Sequence, residues 1–142
     1  MPDFSCTFVI DNHHPEVTLV YLSGNLRDGY WEGAGPTNIT GCGVNYFKLK
    51  DVSGSSRGAE GEITFRYEGP NQTLAQLRFY MSCPLIGDNV AYVTKYSKSG
   101  GSLGRDSANV PFRDVAKAWK LGGGVCAYLP ELKNIFEIYL NI

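Results

Sequence analysis

The sequence predicts an all-β protein, a two-sheet antiparallel β-sandwich, as a single domain over residues 1–142. Three observations predict it. Apolar and polar residues alternate in several short runs, which is the period of half-buried strands. The chain carries 17 Gly, 7 Pro and 9 Tyr, a composition of strands and turns rather than of long helices. The stretch from Gly58 to Pro84 reads as a complete hairpin. In it Ile63, Phe65 and Tyr67 alternate with Glu62, Thr64, Arg66 and Glu68, and Leu77, Phe79 and Met81 alternate with Gln76, Arg78 and Tyr80. Gly69-Pro70-Asn71 joins the two runs, and Cys83-Pro84 stops the second, because proline donates no ladder hydrogen bond. A chain of 142 residues is long enough to bury a core without covalent staples.

The other elements follow in order. Phe4, Cys6, Phe8 and Ile10 alternate into a first strand that ends at Asp11-Asn12, with His13-His14-Pro15 as its turn. Val17, Leu19 and Tyr21, interleaved with Thr18, Val20 and Leu22, give a second strand buried on both faces, ended by Ser23-Gly24-Asn25. Leu26 to Gly43 is rich in turn residues and sets Tyr30-Trp31 between Gly29 and Gly33. Tyr46 to Val52 forms a further strand, and Ser53-Gly54-Ser55-Ser56 connects it to the hairpin. Beyond Pro84, Val90 to Tyr96 is a short strand and Ser97 to Asn109 a long polar loop, of a length that usually accompanies function or motion. Phe112, Val115, Ala116 and Trp119 recur at the spacing of one helix face, so one short helix is expected near 110–121. Asn109 caps it, Pro111 suits its first turn and Gly122 ends it. Phe136, Ile138, Leu140 and Ile142 alternate as a closing strand. Two sheets of such strands bury their apolar faces against each other.

Several function classes are excluded at this level. A net charge of -1 gives no basic footprint for nucleic acid. No run of about 18 apolar residues is present, as a membrane-spanning helix needs. The opening Met-Pro-Asp-Phe-Ser-Cys lacks the basic and apolar regions of a leader, and the mature form of a secreted protein looks the same, so secretion is favoured over the cytoplasm. Cys6, Cys42, Cys83 and Cys126 contain no C-x-x-C unit, which argues against zinc. Their pairing is left open, and reduced structural cysteines are expected, with Cys6 and Cys83 on strands. Asn38-Ile39-Thr40 and Asn71-Gln72-Thr73 match the N-glycosylation pattern.

His13-His14, between Asp11 and Glu16, are the only histidines, and adjacent side chains on a turn do not converge on one ion. No metal and no cofactor is expected. No G-x-S-x-G elbow occurs, and Gly33-Ala34-Gly35 and Gly122-Gly123-Gly124 lack the strand–glycine–helix context of a phosphate loop. The chain is therefore not read as an enzyme. Tyr30-Trp31 are more informative, since aromatics with polar tips suit a membrane interface or stacking on a sugar or headgroup. The competing reading has Trp31 packed over a sheet end. Trp119, on the helical stripe, reads as core.

The order of several short motifs resembles the actinoporin family of pore-forming cytolysins and, more distantly, the aegerolysins. Val9-Ile10-Asp11-Asn12, Tyr21-Leu22-Ser23-Gly24, Arg57-Gly58, Thr73-Leu74-Ala75, Ser82-Cys83-Pro84, Pro111-Phe112-Arg113 and Phe136-Glu137-Ile138 fall in the actinoporin order. Ala59-Glu60-Gly61 and Phe79-Tyr80-Met81-Ser82-Cys83-Pro84 carry the aegerolysin likeness. The resemblance implies a phospholipid-headgroup site at Ser23, Ser82 and Pro84, and Tyr80, which alternation puts on the outer face of the hairpin, is a further candidate for it. Hydroxyls there would donate to phosphate oxygens, and aromatic faces would hold a quaternary ammonium. The chain also departs from actinoporins. No amphipathic helix precedes the first strand, Ser97 to Asn109 holds no tyrosine, and Leu85 to Asn89 holds no tryptophan. The expectation is a cytolysin-like protein that binds a membrane lipid headgroup and perforates, if at all, by self-assembly or with a partner protein. The alternative is a soluble, lectin-like module for carbohydrate or protein.

Overall fold

Alternation along the chain becomes strand after strand in the computed structural model, which describes residues 6–52, 58–84, 86, 89–110, 116–121, 135–140 and 142. Within these residues the elements are β1 (Cys6–Asn12), β2 (Thr18–Asp28), β3 (Tyr30–Glu32), β4 (Val44–Lys50), β5 (Ala59–Glu68), β6 (Leu74–Cys83), β7 (Asn89–Ser97), β8 (Ser102–Val110), β9 (Ala116–Leu121) and β10 (Ile135–Leu140). One sheet has the order β10-β9-β1-β4-β3 and the other β2-β5-β6-β7-β8. The fold is all-β, two sheets packed face to face, as the alternation predicts.

The central hairpin is β5–β6, in a register that sets Ile63 opposite Phe79 and Phe65 opposite Leu77. Cross-strand partners share a face, so these apolar residues form one continuous inner surface. Opposite them stand Phe8, Ile10, Phe47 and Leu49 of the first sheet, all in the same buried cluster. Phe65 meets Phe79 edge-on at 5.7 Å, and Phe8 stacks on Phe47 at 5.3 Å. Each such side chain contributes about 1.5–3 kcal/mol by leaving water. The hairpin is also anchored at its open end. Gly58 has φ +80 and a side chain there would run into the Cys83 carbonyl, so only glycine fits.

Five expectations are corrected. The helix near 110–121 is not formed over its described part: residues 116–121 are β9, parallel both to β1 and to β10. The helical spacing there is short, and hydrogen-bonding strands on both sides outweigh so brief a local period. Most of the polar loop expected over Ser97 to Asn109 is instead β8, Ser102–Val110, because β7 offers an edge to pair with and backbone pairing needs no apolar side chain. Ser23-Gly24-Asn25 does not end the second strand. β2 continues to Asp28, with irregularities of register at Tyr21/Ser23 and Leu26/Asp28 that absorb the turn-forming residues. It also buries one face only, with Leu22 42% exposed.

The fifth correction concerns cysteine. Cys42 is disulfide-bonded, whereas Cys83 is a buried thiol on β6. The β1–β4 register sets Cys6 opposite Leu49 and Asp11 opposite Val44. Cys6 thus lies roughly 17 Å or more along the strands from Cys42, far beyond the Cα separation of about 7 Å that a disulfide allows. The partner of Cys42 is therefore not Cys6. Phe4, Pro111 to Val115, Gly122 to Gly124 and Cys126 lie outside the described residues.

Candidate functional site

The inner face of the β2-β5-β6-β7-β8 sheet is spent on the core, so its chemistry lies on the outer face. Register lines up Asn25 with Glu62, Glu62 with Tyr80, and Tyr80 with Tyr92 across four strands. The next row at the β5 start sets Asp28 beside Glu60 and Glu60 beside Ser82. Alternation along β5 and β6, which buries Ile63 and Phe79, necessarily turns Glu60, Glu62 and Tyr80 outward.

Contacts within these rows are specific. The Tyr80 and Tyr92 rings stack at 4.4 Å with 14° between planes. The Tyr80 hydroxyl donates to Glu60 Oε2. Burial first, and then that bond and the charge of Glu60, hold the Tyr80 hydroxyl protonated well above the ordinary tyrosine range; the nearby Ser82 side chain opposes this weakly. Arg27 Nε lies 3.6 Å from Glu60 Oε1. Between these groups is a cavity of about 190 Å³ lined by Asn25, Arg27, Glu60, Glu62, Tyr80 and Tyr92. Two carboxylates accept hydrogen bonds, Asn25 and Arg27 donate, and the tyrosines supply apolar surface. Such a lining suits a hydroxylated or ammonium-bearing group about the size of a sugar ring or a lipid headgroup.

The residues singled out from sequence are only partly brought together. Tyr80 is in the pocket, and Ser82 stands two residues on, on the same face. Pro84 lies just past β6, against Gly58. Ser23 pairs with Thr64, four residues along β5 from Glu60, the partner of Ser82. That offset, plus two strand spacings, puts Ser23 roughly 16 Å from Ser82. One headgroup does not bridge that gap. Trp31 lies on β3 at the edge of the other sheet, edge-on to Phe8 and to Phe47, each at 5.8 Å, and beside Gly24 and Gly35. It packs between the sheets, while Tyr30 beside it is 50% exposed.

His13-His14 serves the turn. His13 Nε2 meets Asp11 Oδ2 at 2.7 Å, and the His14 N–H donates to Asn12 Oδ1 at 3.0 Å. Asn12 Nδ2 in turn donates to the Val17 and Thr40 carbonyls, tying two loops together. Among the described residues no group of side chains is arranged to hold a metal ion.

Sequence reasoning missed Asn25, Arg27, Glu60, Glu62 and Tyr92 as site residues. Alternation shows that Glu60 and Glu62 face outward, but only the β6–β7 register brings Tyr92 onto Tyr80. No protein-family model matches the chain, and no curated protein sequence matches it.

Proposed function

We propose that this chain is a recognition protein, not an enzyme, and that it binds a polar lipid headgroup at a membrane surface through the Glu60–Tyr80 pocket. One observation carries the reading. The two stretches behind the aegerolysin resemblance, Ala59-Glu60-Gly61 and Phe79 to Pro84, are cross-strand partners, with Ala59 opposite Cys83 and Glu60 opposite Ser82. Together they supply Glu60 and Tyr80 to the cavity.

Two further features support it. Tyr30, Val52 and Ile86 are 50%, 53% and 91% exposed and follow closely on Asp28, Lys50 and Cys83, which register sets at the end of the sandwich where β5 begins, so they offer apolar contact at that end. The disulfide at Cys42 suits an oxidising, secretory environment. Perforation, on this reading, belongs to assembled copies or to a partner protein on the membrane.

A second reading, a soluble lectin-like module, is favoured by the mix of carboxylates, amide and tyrosine, which equally suits sugar hydroxyls. Co-sedimentation with vesicles of varied headgroup and sterol content, run beside a panel of free oligosaccharides, separates the two. Headgroup-selective binding that weakens at least about tenfold in Glu60→Gln and Tyr80→Ala is expected, a loss of about 1.4 kcal/mol or more. Binding to oligosaccharides but to no vesicle overturns the lipid reading in favour of the lectin; binding to neither overturns both.

A further inference from the structure

The row beside the pocket, on the same sheet face, carries positive charge that the pocket does not use. Arg78 on β6 is the register partner of Thr94 on β7, and Thr94 is the partner of Arg105 on β8. The three side chains therefore stand in one line across the sheet, with the two arginine Cα atoms roughly 10 Å apart. The Arg78 guanidinium lies over the Tyr96 ring at 4.6 Å, and the Arg105 guanidinium over the Tyr92 ring at 4.0 Å. Arg105 Nε also donates to Thr94 Oγ1 at 3.3 Å. A guanidinium laid on a ring keeps its plane fixed and its N–H edge available for a planar acceptor.

What these arginines lack distinguishes them from their neighbours. Arg66 is neutralised by Glu68 at 2.7 Å and Arg27 lies by Glu60 at 3.6 Å. Among the described residues neither Arg78 nor Arg105 has a carboxylate at ion-pair distance. Arg78 Nε is moreover buried without a hydrogen-bond partner. Folded proteins seldom leave a buried charged donor unmet, and here it sits beside a second fixed cation.

We infer that Arg78 and Arg105, with Thr94 between them, form an oxyanion site that takes a phosphate group, whether carried by a lipid or free in solution. With Arg105 Nε engaged by Thr94 Oγ1, the terminal Nη groups of the two guanidinium groups supply the N–H donors, and charge-assisted bonds of this kind bind phosphate strongly. The site lies one row, about 7 Å, from the Glu62–Tyr80 row, whose Glu62 carboxylate would repel the same anion. It therefore does not depend on the headgroup reading.

Inorganic phosphate tests the site directly, by thermal shift and by titration calorimetry at constant ionic strength, with chloride as the control. A saturable rise in Tm is expected with phosphate and not with chloride. Arg105→Gln and Arg78→Gln should each weaken phosphate binding at least tenfold, while Arg66→Gln leaves it unchanged. Arg105 is exposed, so its variant decides alone if Arg78→Gln does not fold. Equal responses to phosphate and chloride, or an undiminished response in Arg105→Gln, overturn the site. Vesicles containing phosphatidic acid then distinguish the source. Vesicle binding displaced by free phosphate and lost in Arg105→Gln identifies a lipid phosphate; phosphate binding without vesicle binding identifies a soluble one. Glu60→Gln separates the two proposals, since it should weaken binding to the vesicles selected through the Glu60–Tyr80 pocket without diminishing the response to inorganic phosphate.

Discussion

The two faces of the β2-β5-β6-β7-β8 sheet are built from the same strands, one residue apart, and obey different rules. On the inner face Ile63, Phe65, Leu77, Phe79 and Met81 are all fully buried. Their contribution depends on volume and fit, and apolar side chains of similar size at the same positions would supply an equivalent surface. On the outer face Glu60, Tyr80, Tyr92 and Arg105 form a chain of contacts from carboxylate to hydroxyl, ring to ring and ring to guanidinium. Fit to the core explains none of those identities. The inner face is a solution to folding, and the outer face is where this protein's individuality lies.

Mutation should separate the faces cleanly. The largest effect belongs to the core: Phe79→Ala removes a ring packed on Phe65 and should cost about 3–5 kcal/mol in urea unfolding. A loss below about 1 kcal/mol would mean that the inner face tolerates voids, and would break the contrast. Smaller is Gly58→Ala, which strains the backbone where the hairpin strands close on each other. The expected cost is about 1–3 kcal/mol by the same measurement, and no loss would show that the Cys83 carbonyl moves aside freely.

The smallest stability effect belongs to the outer face. Tyr80→Phe keeps the stacked ring and loses the bond to Glu60, so its cost should stay within about 1.5 kcal/mol. Its signature is instead in the titration. A tyrosine whose folded-state pKa is raised adds stability that is fully present below about pH 10, the unfolded value, and is lost as pH rises beyond it. Absorbance titration should show a late tyrosine step, above the ordinary tyrosine range, and Tyr80→Phe should remove it. Persistence of the late step in the variant would assign it to another residue.

Much of the fold is legible in the amino-acid sequence. The recurrence of Phe8 and Ile10, of Ile63 and Phe65 and of Phe79 and Met81 at every second position marks β1, β5 and β6, because in an extended chain successive side chains must point to opposite faces. Gly69-Pro70-Asn71 marks the hairpin turn for an equally local reason. The site is legible only in fragments. Tyr80 can be placed on the outer face, yet nothing local says that Tyr92 will stack on it or that Glu60 will accept its hydrogen bond. Trp31 illustrates the same limit from the other side. Its sequence setting fits an exposed binding loop, and the meeting of β3 with Phe8 and Phe47 makes it a packing residue.

The sequence alone determined a two-sheet β fold, its central hairpin and the inward or outward direction of most side chains, because these depend on backbone geometry over a few residues. Tertiary structure decided the rest. Ser102–Val110 and Ala116–Leu121 became strands because β7 and β1 had edges to pair with. Arg27, Glu60, Tyr80, Tyr92 and Arg105 became neighbours because strand register, a relation between distant segments, sets which side chains meet.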